Sequence, residues 1–482
     1  MAKMLYNVQD NPPKKVIATS VIQQLLANIA ATITVPIIIG LNDYISAAIL
    51  GCGVGTLIYL LITKRKSPVL LSSNFAFVGA LILAYTNYGL LGIILGGLFS
   101  GSIYILLSFV VHKAGTKWID KVFPPVVIGP VVMLIGLTLS STAIVDLIKV
   151  ENYSYVSSVG ETIYPYNQIG LFCGLITFFI VVVCATQKRR PFISTIPFLF
   201  GVVGGYLLAL LFTIIGNLFH FTYLQIIDFS PIINNFSNLS FKSFISIPNF
   251  ALSEAIKEIA NSSIKLTGMG VLEIAMGFIP ISLVGFTEHI ADHKNLSNII
   301  EKDLIHDEPG LSRTLLGDGL GSIGGTLFGI CPNTTYGEAV ACVAFSKDAS
   351  TKSILITSIS CIALSFFTPL IAFFRSIPSC VVGGICLALF GYIAISGLRM
   401  LKEVDLDDNK NVLTASVILV TGLGSLSLLI PYRFGYIAEA SNLYGIIKWI
   451  EITPIAFSLI IGVITYYLPS LFNKDKQKPE EQ

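Results

Sequence analysis

Fourteen apolar runs follow one another along this 482-residue chain, and most have the length of a membrane crossing. A transmembrane helix needs about 20 mostly apolar residues, because it must satisfy its backbone groups internally across the hydrocarbon. The third and tenth runs are too short for a clean crossing. The sequence therefore predicts an all-α polytopic membrane protein with 14 transmembrane segments. In chain order the runs are 16–39, 43–63, 69–84, 88–111, 122–140, 168–186, 194–218, 266–290, 311–330, 334–346, 353–374, 379–398, 411–431 and 452–471.

The composition excludes several other classes of protein. Hydrophobic residues make up 54% of the chain and charged residues only 12%, against about 25% charged residues in a typical soluble domain. The 30 basic and 28 acidic residues leave no basic surface for a polyanion, so we expect no nucleic acid partner. The eight cysteines form no CxxC pair, so we expect no disulfide framework, metal site or cofactor. Membrane lipid is the expected surroundings of such a chain.

The distribution of Lys and Arg predicts the direction of the crossings. Cytoplasmic loops are enriched in these residues. With the N-terminus inside and fourteen alternating crossings, 23 of the 30 Lys and Arg residues lie on the cytoplasmic side and 7 lie outside. An odd number of crossings would move the tail lysines Lys474, Lys476 and Lys478 to the outside. Both termini are therefore predicted to be cytoplasmic.

Four pairs of similar motifs recur in the same order in the two halves of the chain. The Gly-rich stretch at 50–56 in the second run resembles that at 316–322 in the ninth, where it favours helix packing. A Ser-Asn pair at 73–74 opens the third run, as a Pro-Asn pair at 332–333 opens the tenth. Seven crossings per copy is odd, so the second copy must be inverted, as is typical of secondary transporters. The sequence predicts two inverted 7-helix repeats with broken spans 3 and 10.

Apart from Asp43 and Arg313 near the ends of their runs, the charged residues inside the predicted spans are four acids. An ionised group in the hydrocarbon costs at least about 2.5–3.5 kcal/mol. Without a basic partner these acids must be protonated, hydrogen-bonded to donors or matched by a bound cation. We expect helix–helix hydrogen bonding for Asp318 and an outer interfacial position for Glu273. The four residues are Glu273, Glu288, Asp318 and Glu338.

Glu338 is a candidate site residue. Pro332 and Asn333 precede it and disfavour helix, so the next helix starts near Glu338 with free N–H groups and a positive dipole end. The adjacent Gly337 allows a ligand to approach the backbone closely. The alternative is that Glu338 only caps its helix.

Glu288 is a second candidate, and Asp292 lies on the same helix face because the two are four residues apart. Hydropathy places Glu288 near the inner end of span 8, whereas its repeat match to Gln23 places it deeper in the membrane. The residues alone leave the depth open. The alternative is that this stretch is a helix end that enters the cytoplasm.

Three of these motifs together resemble one family. The Asn-Thr-Thr-Tyr-Gly-Glu run at 333–338, the Glu-His-Ile-Ala-Asp-His run at 288–293 and the Ser-Asn-Phe-Ala-Phe run at 73–77 are similar to those of the bacterial uracil permeases of the nucleobase–ascorbate transporter family. The likeness covers most of the chain. The sequence departs from the family where Asp292 stands in place of a histidine and Phe390 in place of a gate tyrosine.

The resemblance implies two domains. A core domain would comprise residues 1–115 and 266–376, and a gate domain would comprise residues 116–220 and 377–482, which end in a cytoplasmic tail. Residues 221–265 would form an extracellular loop. Short extended pieces in spans 3 and 10 would frame the substrate, and the gate domain would carry the contacts of a homodimer.

The resemblance also implies the roles of five residues. Glu288 and Glu338 would bind the N–H groups of a nucleobase. The backbone at Phe75 and Gly337 would add hydrogen bonds, and Phe75 and Tyr336 would line the pocket. Uracil has two N–H donors and two carbonyls, and two carboxyl groups with backbone N–H groups complement that pattern.

The implied function is a secondary active transporter that imports a nucleobase, uracil foremost, by proton symport across a bacterial plasma membrane with elevator-like alternating access. A neutral base cannot discharge buried acids, so a proton is the simplest counter-charge, and Glu288, Asp292 and His289 are the candidates for coupling. Sodium coupling and a purine substrate such as xanthine or urate are alternatives within the same fold. An anion transporter and a channel are the more distant alternatives, and no residue pairing predicts an enzyme.

Reporter fusions test the predicted topology. A reporter that is active only in the cytoplasm should be active in the 186–191 loop and at the C-terminus, because both follow an even number of crossings. The same reporter in the 219–265 loop should be inactive. An external C-terminus would contradict the two inverted 7-helix repeats.

Overall fold

The computed structural model describes residues 4–149, 155–156, 162–163, 167–261, 266–433 and 454–472, and this part of the chain is almost entirely helical. Eight of its helices, α1, α2, α3, α5, α6, α8, α11 and α16, are long and apolar enough to cross a membrane. The helices are α1 Lys14–Ile38, α2 Ile45–Ile62, α3 Val78–Ala114, α4 Ile119–Val122, α5 Pro125–Ile148, α6 Gln168–Ala185, α7 Pro191–Thr195, α8 Pro197–Phe219, α9 Ser230–Ser237, α10 Ala251–Ala260, α11 Gly268–Ile300, α12 Gly310–Phe328, α13 Gly337–Ser346, α14 Thr351–Ser365, α15 Thr368–Arg375, α16 Ser379–Met400, α17 Asn409–Arg433 and α18 Pro454–Phe472.

The third and tenth apolar runs each contain a short strand. Strand β1 (Leu71–Ser73) pairs antiparallel with β4 (Asn333–Thr335). A 3-10 turn at Phe75–Phe77 and then α3 follow β1, while α13 follows β4 almost directly. An extended segment at membrane depth needs backbone partners inside the protein, and each strand supplies them to the other. The remaining described strands, β2 (Tyr155–Val156) and β3 (Thr162–Ile163), form a separate antiparallel pair.

The break between the third and fourth runs is a kink and not a loop. Two helical segments of α3 meet there at Gly89, whose φ of 57° and ψ of −152° are not helical. Glycine adopts this region easily because it has no Cβ. The first backbone amide after Gly89, Leu90 N, donates to Glu258 Oε2 of α10 at 2.9 Å.

Helix α11 extends ten residues beyond the predicted end of run 8 at residue 290. The prediction stopped there because the following residues are polar. Two residues of this extension, His293 and Leu296, have no exposed surface. The extension thus packs one face against the protein, while Lys294, Asn295 and Asn298 on the rest of its surface are exposed. Hydropathy marked the end of the apolar run and not the end of the helix.

The predicted extracellular loop contains the helices α9 and α10, and it attaches to the break between α14 and α15. Ser246 N donates to Phe366 O at 3.1 Å, and Thr368 N donates to Phe244 O at 3.0 Å. The predicted run at 353–374 is thus two helices. At the end of the chain, α18 covers most of the last run, while the tail lysines Lys474, Lys476 and Lys478 lie outside the described residues.

Glycines allow helices to pack closely in two groups. In one group α2, α3, α11, α12 and α14 pack together, and a Cβ on Gly55 would lie 2.8 Å from Gly321 O. In the other, α5 packs along α16, and a Cβ on Gly129 would lie 2.9 Å from Gly397 O. The Gly-rich stretches of α2 and α12 therefore serve helix packing.

Substitution of Gly55 by Ala should lower stability by about 1–3 kcal/mol, because the new methyl group meets backbone and cannot be relieved by a side-chain rotation. Thermal unfolding of the purified protein in detergent would measure this change. Gly391→Ala in α16 is the matched control, since nothing lies within 4 Å of its Cβ position. Equal melting temperatures for Gly55→Ala and Gly391→Ala would contradict the close packing of α2 on α12.

Candidate functional site

The strand pair brings two distant parts of the chain to one place. Leu71 lies opposite Thr335, and Ser73 lies opposite Asn333. Asn74 ends β1 and joins the two sides, because its Oδ1 accepts from Ala76 N at 2.8 Å and its Nδ2 donates to Thr334 Oγ1 at 2.9 Å. The polar and β-branched residues of both strands suit an extended backbone. Because the pair is antiparallel, the segments that follow β1 and β4 leave from opposite ends of it.

A partly open cavity lies along the strand pair, and its volume of about 470 Å³ includes space open to solvent. One wall comes from the strand pair, the segments that follow it and α11, and the opposite wall comes from α16. No Lys, Arg or His is among the described residues that line it. The lining residues are Ser72, Ser73, Asn74, Phe75, Glu288, Thr335, Tyr336, Glu338, Leu389, Tyr392 and Ile393.

Glu288 and Glu338 line the same cavity, as the resemblance implies. Glu288 is exposed to this space and lies in the interior of α11, twelve residues before its end at Ile300. Glu288 is therefore not at the end of a helix. Glu338 is half-buried in the first turn of α13, where backbone N–H groups are free of helical partners.

Phe75, Tyr336 and Gly337 lie around the two carboxyl groups. Phe75 is buried at the cavity wall, and Tyr336 is half-buried on the other side of the strand pair. Gly337 stands between Tyr336 and Glu338 as the first residue of α13. The five residues expected to bind a base thus occupy one part of the structure.

Asp292 lies one turn beyond Glu288 and does not line the cavity. Its Oδ1 is 3.4 Å from the position that a Cβ on Gly337 would occupy. Its Oδ2 is buried and has no hydrogen-bond partner among the described residues. Asp292 therefore lies next to Gly337, the first residue of α13, and one of its carboxyl oxygens is unsatisfied.

His289 points about 100° around α11 from Glu288, does not line the cavity and is fully buried. Its Nδ1 lies 2.6 Å from Asp318 Oδ2, and its Nε2 lies 3.0 Å from Thr314 Oγ1. Asp318 Oδ1 in turn accepts from Thr335 N at 3.1 Å. The expected helix–helix role of Asp318 is what the structure shows, and His289 belongs to this support of β4, away from the cavity.

Sequence reasoning missed two sets of residues near the site. His293 stacks on His289 with ring centroids 4.0 Å apart, and its Nε2 lies 2.9 Å from the Tyr59 hydroxyl. The spacing of four residues between the two histidines was the available signal. The α16 wall of Leu389, Tyr392 and Ile393 was also missed, although these residues show the i, i+3, i+4 spacing of one helix face.

Phe390, which stands in place of the family's gate tyrosine, does not reach the cavity. Its side chain is 1% exposed, whereas Tyr392, two residues further along, is half exposed and lines the cavity. The ring of Tyr392 packs edge-on against Phe198 of α8, with centroids 6.4 Å apart. The aromatic contribution of α16 to the site therefore comes from Tyr392.

Comparison with known proteins identifies relatives along almost the whole chain. A sequence model described as "Permease family" (Xan_ur_permease) matches residues 15–429. The chain is 33% identical over 466 residues to a uracil permease of Bacillus caldolyticus, with 96% of this chain and 94% of that protein covered. It is 32% identical over 475 residues to a uracil permease of Escherichia coli strain K12, with 97% and 96% covered.

Two solved structures share the fold. The transmembrane domain of a cyanobacterium bicarbonate transporter, BicA, matches with a TM-score of 0.54 at 12% identity, covering 94% of this chain and 97% of that one. The murine Slc26a9 anion transporter in the inward-facing state matches with a TM-score of 0.58 at 9% identity, covering 97% and 70%. At such identity the likeness concerns the fold alone, which is that of a membrane transporter. The family expected from the motifs is confirmed: the chain belongs to the uracil/xanthine permeases of the nucleobase–ascorbate transporter family and is a multi-pass membrane permease, not an enzyme.

Proposed function

We propose that this chain is a secondary active transporter that imports a nucleobase, with uracil as its preferred substrate, across a bacterial plasma membrane. The observation that carries the proposal is that Glu288 and Glu338 line one cavity whose described lining has no basic residue. Relatives over nearly the whole length of the chain are named uracil permeases, which supports the same substrate.

The groups around the cavity complement the edge of uracil. Two carboxylates accept hydrogen bonds from the two ring N–H groups. The free backbone N–H groups at the start of α13, next to Gly337, and those at Phe75 can donate to the ring carbonyls. The rings of Phe75 and Tyr336 provide flat apolar surfaces for a planar base.

Anion transport, the activity named for the two solved structures of this fold, suits the cavity poorly. An anion would need a basic side chain or an uncompensated helix N-terminus. Here the N-terminus of α13 already carries the carboxyl group of Glu338, and Glu288 adds a second one. Two carboxylates would repel an anion, whereas they attract the N–H groups of a neutral base.

Proton symport fits the unsatisfied carboxyl groups. A buried carboxylate oxygen without a partner, such as Asp292 Oδ2, is stable only when it is protonated or matched by a cation. We assign coupling to the pair Glu288 and Asp292. Because Asp318 and Thr314 engage both ring nitrogens of His289, its role in coupling is indirect, through the position of β4. A sodium ion is the alternative counter-charge, since carboxylates and hydroxyl oxygens suit it.

Alternating access would require the two helix groups to move past each other. The cavity has one wall from α11 and the strand pair and the other from α16, so such a movement would open or close it. We propose that residues 1–115 and 266–376 form the moving core and residues 116–220 and 377–482 form the gate. In this proposal the halves are inverted repeats, the motion is elevator-like, and the gate carries the homodimer contacts.

The variants Glu288→Gln and Glu338→Gln should each abolish uracil binding or weaken it severely. An amide presents a donor where the carboxylate accepted and leaves a buried group unpaired, at about 1–3 kcal/mol or more. Calorimetry on the purified proteins would measure binding. Glu273→Gln is the matched control, because Glu273 lies on the same helix but bonds to Tyr88 away from the cavity. Wild-type affinity in both cavity variants would refute the site.

Uptake of radiolabelled uracil into vesicles tests both substrate and coupling. An inward pH gradient should drive accumulation without sodium, unlabelled uracil should compete, and bicarbonate or sulfate should not. Asp292→Asn should lose accumulation against a gradient, because the amide cannot carry the proton. Uptake that needs sodium and ignores the pH gradient would exclude proton symport, and stronger competition by xanthine would make the substrate a purine.

A further inference from the structure

The first described residues of the chain bind the segment that follows α13. Residues 5–11, here called the N-terminal strap, lie along residues 347–352. Tyr6 N donates to Lys347 O at 3.2 Å, Ala349 N donates to Tyr6 O at 3.0 Å, and Thr351 N donates to Val8 O at 3.0 Å. Further bonds run from Leu5 N to Lys347 O, from Thr351 Oγ1 to Val8 O, from Ser350 Oγ to Asp10 O and from Lys352 Nζ to Asn11 Oδ1. The strap is therefore fixed along most of its length.

Val8 is the apolar anchor of the strap. Its side chain is only 8% exposed and lies in a cluster of buried residues that belongs to three site-bearing elements. Val340 and Val343 belong to α13, the helix that carries Glu338. Leu71 belongs to β1. Leu296 and Ile300 belong to α11, the helix that carries Glu288. Val8 thus shares one buried cluster with residues of α13, β1 and α11.

The short helix α13 depends on such support. It has ten residues, and a helix of that length is marginal without tertiary contacts. One end of α13 faces the cavity with Glu338, and the other is followed by Lys347 in a left-handed conformation with φ 53°. The strap holds the chain at this second end through the carbonyl of Lys347. Near the cavity end of α13, Gln24 Nε2 of α1 donates to Ala339 O at 3.3 Å, and the strap holds the opposite end.

We infer that the N-terminal strap is a positioning element for the base site. By holding the far end of α13 and the cluster around Val8, it sets the position of Glu338 relative to Glu288. This inference rests on the proposed function for its ligand, while the contacts themselves belong to the structure. Neither Val8 nor Tyr6 touches the cavity, so both act through other residues.

The test compares two Asp substitutions in the full-length purified protein. Val8→Asp places a carboxylate in the buried cluster, whereas Gln9→Asp places the same group at an exposed neighbouring position. Val8→Asp should raise the uracil Kd by about tenfold or more, since a binding residue held loosely loses its geometry. Gln9→Asp should bind as wild type does. Val8→Ala should give an intermediate Kd.

A second measurement separates positioning from general stability and needs no ligand. In Val8→Asp, the backbone amides of α13 and β1 should exchange hydrogen faster than in the wild type, while those of α5 and α16 should exchange at the wild-type rate. Tyr6→Pro, which removes the N–H bonded to Lys347 without adding charge, should show the same pattern and replaces Val8→Asp if that variant does not insert.

The outcomes distinguish this inference from the proposed function. Uracil binding by wild type together with unchanged Kd and unchanged α13 exchange in Val8→Asp and Tyr6→Pro would overturn the positioning role alone. A uniform rise in exchange, or a lower melting temperature with wild-type Kd, would also overturn it, because the strap would then be merely stabilising. No uracil binding by wild type would refute the proposed substrate, and the exchange pattern would still decide the role of the strap.

Discussion

The antiparallel pairing of β1 with β4 is the interaction on which the site depends. At membrane depth an extended backbone is stable only if the protein satisfies its N–H and C=O groups. Each strand does this for the other, and hydroxyl groups complete the set, since Thr56 Oγ1 accepts from Leu71 N and Ser322 Oγ donates to Asn333 O. With the pair fixed, the turn after β1 and the start of α13 face one cavity.

The surroundings of the intramembrane acids separate structural from functional carboxyl groups. Asp318 accepts a hydrogen bond from Thr335 N and contacts the His289 ring, so it holds β4 in place. Glu288 and Glu338 instead face the cavity, and Asp292 keeps one oxygen unsatisfied. Asp318 already has its donors, whereas Glu288 and Glu338 are open to the cavity and Asp292 has an oxygen that can take up a proton.

Several sequence predictions failed or stayed incomplete for one reason. Hydropathy measures how well each residue suits lipid, so it ended run 8 at residue 290, although α11 continues as a helix to Ile300 with Lys294, Asn295 and Asn298 exposed. For the same reason the residues left the depth of Glu288 open. The coupling role of His289 stays a prediction; its ring faces Asp318, because neighbours in a helix point about 100° apart.

Local information in the sequence was sufficient to predict the membrane class, the family and the glycine packing of α2 on α12. It also singled out the two carboxyl groups that line the cavity. These follow from apolar runs, short motifs and the cost of burying charge, which are properties of neighbouring residues. Long-range packing was required to show that Leu389, Tyr392 and Ile393 close the cavity, that Asp292 lies behind Gly337 and that Val8 supports α13. Each of these contacts joins residues far apart in the chain, and no local pattern specifies which distant surfaces a folded chain brings together.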